Sequence, residues 1–173
     1  MAVLEIKKFP DKILRQKAYP VGSITDTEIK LIHDMFDTMY FSNGVGLAAP
    51  QVGVLKRIIV CNPTGQKSDE LAIINPKIIY RKGKRFKDCE GCLSIPAMSS
   101  EVARFSKIGV SGKGLDEKGL VVNAEGLLAR IIAHECDHLD GILFIDRIWF
   151  LKKKILIANY KKKIGPTCVG RWY

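Results

Sequence analysis

Helical spacing is clearest between Thr25 and Phe41, "TDTEIKLIHDMFDTMYF", where Ile29, Ile32, Met35, Phe36 and Met39 recur every three or four residues. That period places them on one face of an amphipathic helix. Thr25 followed by Glu28 has the form of a capping box, so the helix should start there, with His33 among its exposed positions. The pattern breaks at "SNGVGLAAPQVG" (42–53). β-Branched runs follow at 57–60, 72–80, 107–112 and 119–126, separated by turn clusters such as "NPTGQKSDE" and "GLDEKG". These predict short, mostly antiparallel strands. A second helix is expected from about Glu125 to a glycine stop at Gly141. A third should run from about Trp149 to Lys163, apolar on one side and basic on the other. Helix, strands, then helix, without repeats or a linker, predict one α+β domain over residues 1–173. Its strands would pack around the second helix, with 147–173 as a basic C-terminal helix and tail.

Length and charge change this picture little. A chain of 173 residues can bury a core without crosslinks. Charges interrupt every apolar run of the first twenty residues, which excludes a secretory leader, and no later stretch suits a bilayer span. A cytoplasmic location without a membrane partner is expected. In that compartment the five cysteines are not expected to form a disulfide framework, so metal binding or catalysis is the better reason for any that matter. The net charge of +10 is uneven: Leu151 to Tyr173 holds six lysines, one arginine and no acid. Such a segment suits RNA or a ribosome, or simply a solvated surface, and implies no DNA partner.

Chemistry enters at "HECDH" (134–138). Residues four apart stack on one helical face, so His134 and His138 can aim both imidazoles at one ion. Glu135, about 100° round from His134, can reach a water there without ligating the ion. Cys136 should point away into the core. A catalytic metal site needs a third protein ligand. The extended HExxHxxGxxH pattern fails because Phe144 occupies its last position, and no glutamate follows Glu135. Asp140 lies off the ligand face and Asp146 falls in the next turn. The ligand must therefore come from upstream, where "DCEGCLS" (88–94) offers Cys89 and Cys92. Both could ligate in a closed site, they could form a redox couple, or one alone could ligate. Spacing leaves the three open, although Cys92 and His134 are farther apart than in usual Cys2His2 modules, and Pro96 argues against the helix a redox pair would open.

Taken in order, "GVGLAAPQ" (44–51), "EGCLS" (90–94) and "HECDH" resemble the three signature motifs of the peptide deformylases, and "FPDKILRQKA" and "LFIDR" extend the likeness over most of the chain. The resemblance implies hydrolysis of the N-formyl group from the initiator methionine of nascent peptides, releasing formate. It implies that Cys92, His134 and His138 hold one divalent metal, Fe2+ in the cell and Zn2+, Ni2+ or Co2+ in purified protein, with a water in the fourth position. Glu135 would serve as base and then acid, while Gln51 and the Leu93 N–H would face the oxyanion. Gly44 and Gly46 would let the loop approach the substrate closely, and Gly46 would pair its backbone with the extended peptide. Val45, Leu127 and Ile131 would surround the methionine side chain, unless they are ordinary core residues. Glu90, placed with the substrate-binding set, is expected to pair with Arg104 and brace the Cys92 segment. Cys89 has no role in the family. Ala133 stands where the family commonly has glutamine. Two rival readings share these features: a broader metal-dependent amidase, and a basic zinc module that binds RNA.

Overall fold

A computed structural model describes residues 2–162. Helix α1 spans Asp26–Phe41 and carries the expected capping box. The Thr25 N–H donates to Glu28 Oε2 at 2.9 Å, and Lys56 and the Thr25 hydroxyl also bond that carboxylate. The Lys56 and Thr25 bonds hold the Glu28 carboxyl down at about 2. A folded pKa below the unfolded value of about 4.3 means the stabilisation is complete above that value and fades as pH falls toward 2. Glu28→Gln is thus expected to lower stability by about 1 kcal/mol at neutral pH, with the difference shrinking below pH 4. Denaturant titrations at pH 7 and pH 3 check this.

Five antiparallel strands follow: β1 (Gly46–Ala48), β2 (Ile58–Cys61), β3 (Leu71–Gly91), β4 (Ser99–Lys113) and β5 (Gly119–Glu125). They pair in chain order, β1 to β5. Helix α2 is Gly126–Leu139 and α3 is Phe150–Lys161. Gly141 closes α2 at φ +71°, and a Cβ there would lie 2.5 Å from the Arg15 carbonyl oxygen, so the predicted glycine stop has both a conformational and a steric reason.

The continuous apolar run of β2 is explained by burial on both faces. Ile58 and Val60 pack with Ile32, Met35, Phe36 and Met39 of α1. Ile59 and Cys61 face the opposite way and pack with Ile131, Ile132, Cys136 and Leu139 of α2. Helix α2 therefore lies in the core, as the sequence predicts. A third apolar cluster joins Cys92, Ile95 and Met98 to Leu143, Phe144 and Leu156. It ties the β3–β4 turn to α3, whose only buried residue is Leu156.

Two expectations need correction. The strands are not all short, since β3 has 21 residues and β4 has 15. Residues 81–88 of β3 are exposed, and their charge hides the strand pattern; beyond residue 74 β3 pairs with β4 but not with β2, and lysines along such an open stretch discourage pairing with other chains. The glycine-rich stretch 42–53, where the pattern predicts a break, contains β1. No helix among the described residues is long and apolar enough to cross a membrane. The tail beyond residue 162 lies outside them.

Candidate metal centre

Two elements meet to make the site. Helix α2 supplies His134 and His138, whose rings lie 5.0 Å apart between centroids. The turn after β3 supplies Cys92, with its Sγ 3.2 Å from His138 Nε2. One ligand atom from each of the three residues lies within 4.8 Å of the others, and all three residues are buried. Cys136 is buried among the packing residues of α2, as expected, and burial pushes its thiol up to about 12.

Glu90 organises the donors from behind. It is wholly buried, and its oxygens accept from Arg104 Nε (2.9 Å) and Nη2 (3.0 Å) and from Arg130 Nη1 (2.8 Å). Oε2 also bonds His134 Nδ1 at 3.0 Å. That contact fixes the ring and leaves Nε2 for an ion, the usual arrangement behind a metal-ligating histidine. The fork from Arg104 to Glu90 is the pair expected from sequence. A substrate-facing Glu90 is not compatible with this burial, because four donors enclose its carboxylate. Arg104 continues through Nη1 to Asp137 Oδ2 (2.6 Å), which Arg147 Nε also contacts at 3.0 Å. Sequence reasoning missed Arg130 and Asp137, although each lies a helical turn from His134 on α2.

Burial opposes charge on His134, but Cys92 and Glu90 outweigh it and hold the imidazole well above its ordinary value. Burial and the neighbouring His134 push His138 well below its own. The pocket thus favours positive charge yet disfavours two imidazolium ions. One cation shared by neutral rings resolves that conflict. A sulfur and two imidazoles suit zinc, iron, cobalt or nickel, so the residues present fit a divalent ion.

Glu135 is next to the donors and buried, and its Oε2 has no hydrogen-bond partner. Burial pushes its carboxyl up to about 7. With Gln51, Leu93, Gly44, Val45 and Gly46 it lines a cavity of about 10 Å3, close to the space of a single water. Gln51 Oε1 accepts from the Ala48 N–H at 2.8 Å, while Nε2 donates to Ser94 Oγ at 3.2 Å and approaches Cys92 Sγ at 3.5 Å. The Leu93 N–H has no backbone acceptor among the described residues. Ile131 is fully enclosed and Leu127 is 36% exposed, so they form a wall and a rim rather than one surface.

The two loop glycines permit close packing. A Cβ on Gly44 would lie 2.7 Å from Leu93 Cδ1, and one on Gly46 would lie 2.6 Å from Glu135 Oε1 and 2.7 Å from Ile131 Cγ2. Gly46→Ala must therefore displace Glu135 or β1. An activity loss of about 100-fold is expected, typical of a misplaced reacting group, and steady-state kinetics with a melting curve would separate it from unfolding.

Cys89 does not belong to the cluster. It is disulfide-bonded, a crosslink that the expectation of no disulfide framework did not foresee. Compartment rules describe redox poise, and they cannot foresee which sulfurs a fold brings together. Cys61, Cys92 and Cys136 are free, and Cys168 lies outside the described residues. A Cys2His2 site using both cysteines of "DCEGCLS" is therefore ruled out in this structure.

A buried Cys-His-His cluster beside a carboxylate on an HExxH helix defines the class of metal-dependent hydrolases. The polypeptide deformylase family model matches residues 3–154. A peptide deformylase of Thermodesulfovibrio yellowstonii is 46% identical, over 94% of this chain and 99% of its own. One from Halothermothrix orenii is 51% identical, over 86% and 95%. The crystal structure of a Legionella pneumophila peptide deformylase superposes with a TM-score of 0.89 at 39% identity, covering 94% of this chain and 95% of that one. The chain belongs to the peptide deformylase family.

Proposed function

We propose that this enzyme removes the N-formyl group from the initiator methionine of nascent peptides and releases formate. The observation that carries the reading is the convergence of Cys92, His134 and His138 beside the unpartnered Glu135 oxygen. Cys92, His134 and His138 would hold a divalent ion, which would supply Lewis acidity and make water a better nucleophile near neutral pH. Fe2+ is the proposed ion in the cell, with Zn2+, Ni2+ or Co2+ in purified protein.

The protein's own groups supply the rest. Glu135 accepts the proton of the attacking water on Oε2 and delivers it to the departing amine nitrogen. As the formyl carbonyl becomes tetrahedral, Gln51 Nε2 and the Leu93 N–H donate to its oxygen; losing one such donor typically costs about 100- to 1,000-fold in rate. Among the described residues β1 pairs with no strand but β2, so its other edge is open for Gly46 to pair with an extended peptide. Val45, Leu127 and Ile131 offer the unbranched methionine side chain an apolar seat. Basic α3 and the tail are proposed to favour the ribosome, where the substrate emerges. Deleting residues 163–173 tests this by co-sedimentation at low salt and spares Leu156, which the core needs.

Anaerobically prepared enzyme should release formate from a formyl-methionyl peptide, lose that activity to a chelator, and leave the acetylated peptide nearly untouched. Metal-dependent turnover of both peptides at similar rates would favour the broader amidase. Absence of metal-dependent turnover on the formyl peptide would refute the reading.

A further inference from the structure

A second concavity, of about 240 Å3, lies beside α2 and shares no lining residue with the small cavity at Glu135. Four arginines border it: Arg81 and Arg85 from β3, Arg104 from β4, and Arg147 beyond α2. Two of them already have carboxylate partners. Arg104 is held by Glu90 and Asp137, and Arg147 by Asp137. No ion pair to a carboxylate is formed by Arg81 or Arg85 among the described residues. Arg85 lies over the Phe105 ring at 5.6 Å and gives one N–H to the Ala103 carbonyl at 3.2 Å, which leaves most of its five donors unused. Buried Arg104 would form a floor, with exposed Arg147 and the two uncompensated guanidinium groups at the mouth.

Ala133 helps to keep this space open. It lines the cavity one turn before Asp137 on α2, and its methyl group fills little of it. A longer side chain at 133 would project into the same volume. Ile78, Phe105 and Ile108 supply apolar walls, where a charge contact is screened less than on an open surface.

We propose that this cavity binds a phosphate group, clasped by Arg81 and Arg85 above Arg104, with Arg147 at the rim. Guanidinium forks match phosphate oxygens in pairs. The volume also far exceeds the roughly 10–15 Å3 that a single water needs on the same measure. A single carboxylate would match the charge less well, because two guanidinium groups are uncompensated. The phosphate could belong to a free anion or to an RNA backbone that follows the basic edge of β3.

Calorimetric titration of the metal-loaded full chain with orthophosphate at low ionic strength tests the proposal. One saturable site is expected. Arg81→Ala/Arg85→Ala should weaken it about 10-fold or more, since charge-assisted hydrogen bonds are lost, and Ala133→Gln should do the same by filling the cavity. Lys82→Ala/Lys84→Ala removes equal charge from the same strand outside the cavity and should leave binding within about twofold. An octameric oligouridylate identifies the source of the phosphate. Tighter binding than orthophosphate with the same variant pattern supports the site and assigns it to an RNA backbone; weaker binding supports it and assigns it to a free anion. Equal weakening by both double variants, unchanged binding in Ala133→Gln, or no saturable orthophosphate binding overturns the proposal.

Discussion

Glu135→Gln should lower kcat for a formyl-methionyl peptide about 100- to 10,000-fold, the range for loss of a positioned general base, while the metal content stays unchanged. The substitution is nearly isosteric, so β1 and Ile131 keep their contacts. It removes the one group in the cavity able to take a proton from water and return it. Burial already pushes this carboxyl up to about 7, so it can exchange a proton near neutral pH. Purified variant with full metal occupancy and wild-type melting behaviour is the sample to assay. Retention of more than a tenth of wild-type kcat would assign the proton transfer to another group.

Glu90→Ala should show its largest effect on stability. It leaves Arg104 and Arg130 buried without their carboxylate, and breaking a buried pair in this way typically costs about 3–5 kcal/mol. The His134 ring also loses its fixing partner, so metal affinity should fall about 10- to 100-fold. Glu90→Gln should lose less, because it still offers an oxygen to the enclosing donors. Denaturant titration and competition with a chromogenic chelator measure the two effects. If activity fell while stability and metal affinity held, Glu90 would be acting on the substrate itself.

Periodicity made the helices legible. The Ile32-Met35-Phe36-Met39 face and the Thr25–Glu28 cap placed α1, and "HECDH" with its apolar neighbours placed α2. β3 beyond Tyr80 was obscure because an exposed stretch paired on one side alone need not alternate between apolar and polar residues, and residues 81–88 do not. β1 was hidden because three residues pairing with β2 leave almost no local pattern. The choice between Cys89 and Cys92 depended on a turn that brings one sulfur to a helix forty residues away, which spacing cannot encode; motif likeness supplied the choice and geometry agrees with it. Arg130 and Asp137 carry a helical-spacing signal, but a charged residue one turn from a ligand is more often on the surface.

The central claim is that Cys92 and the two histidines hold one ion and that this ion is needed for deformylation. Metal per chain and formate release, measured together on Cys92→Ser and Cys89→Ser, test it most directly. Cys89→Ser should keep one ion per chain and near-wild-type turnover, while Cys92→Ser should lose most of both. Equal metal loss in the two variants, or full metal and turnover in Cys92→Ser, would contradict it.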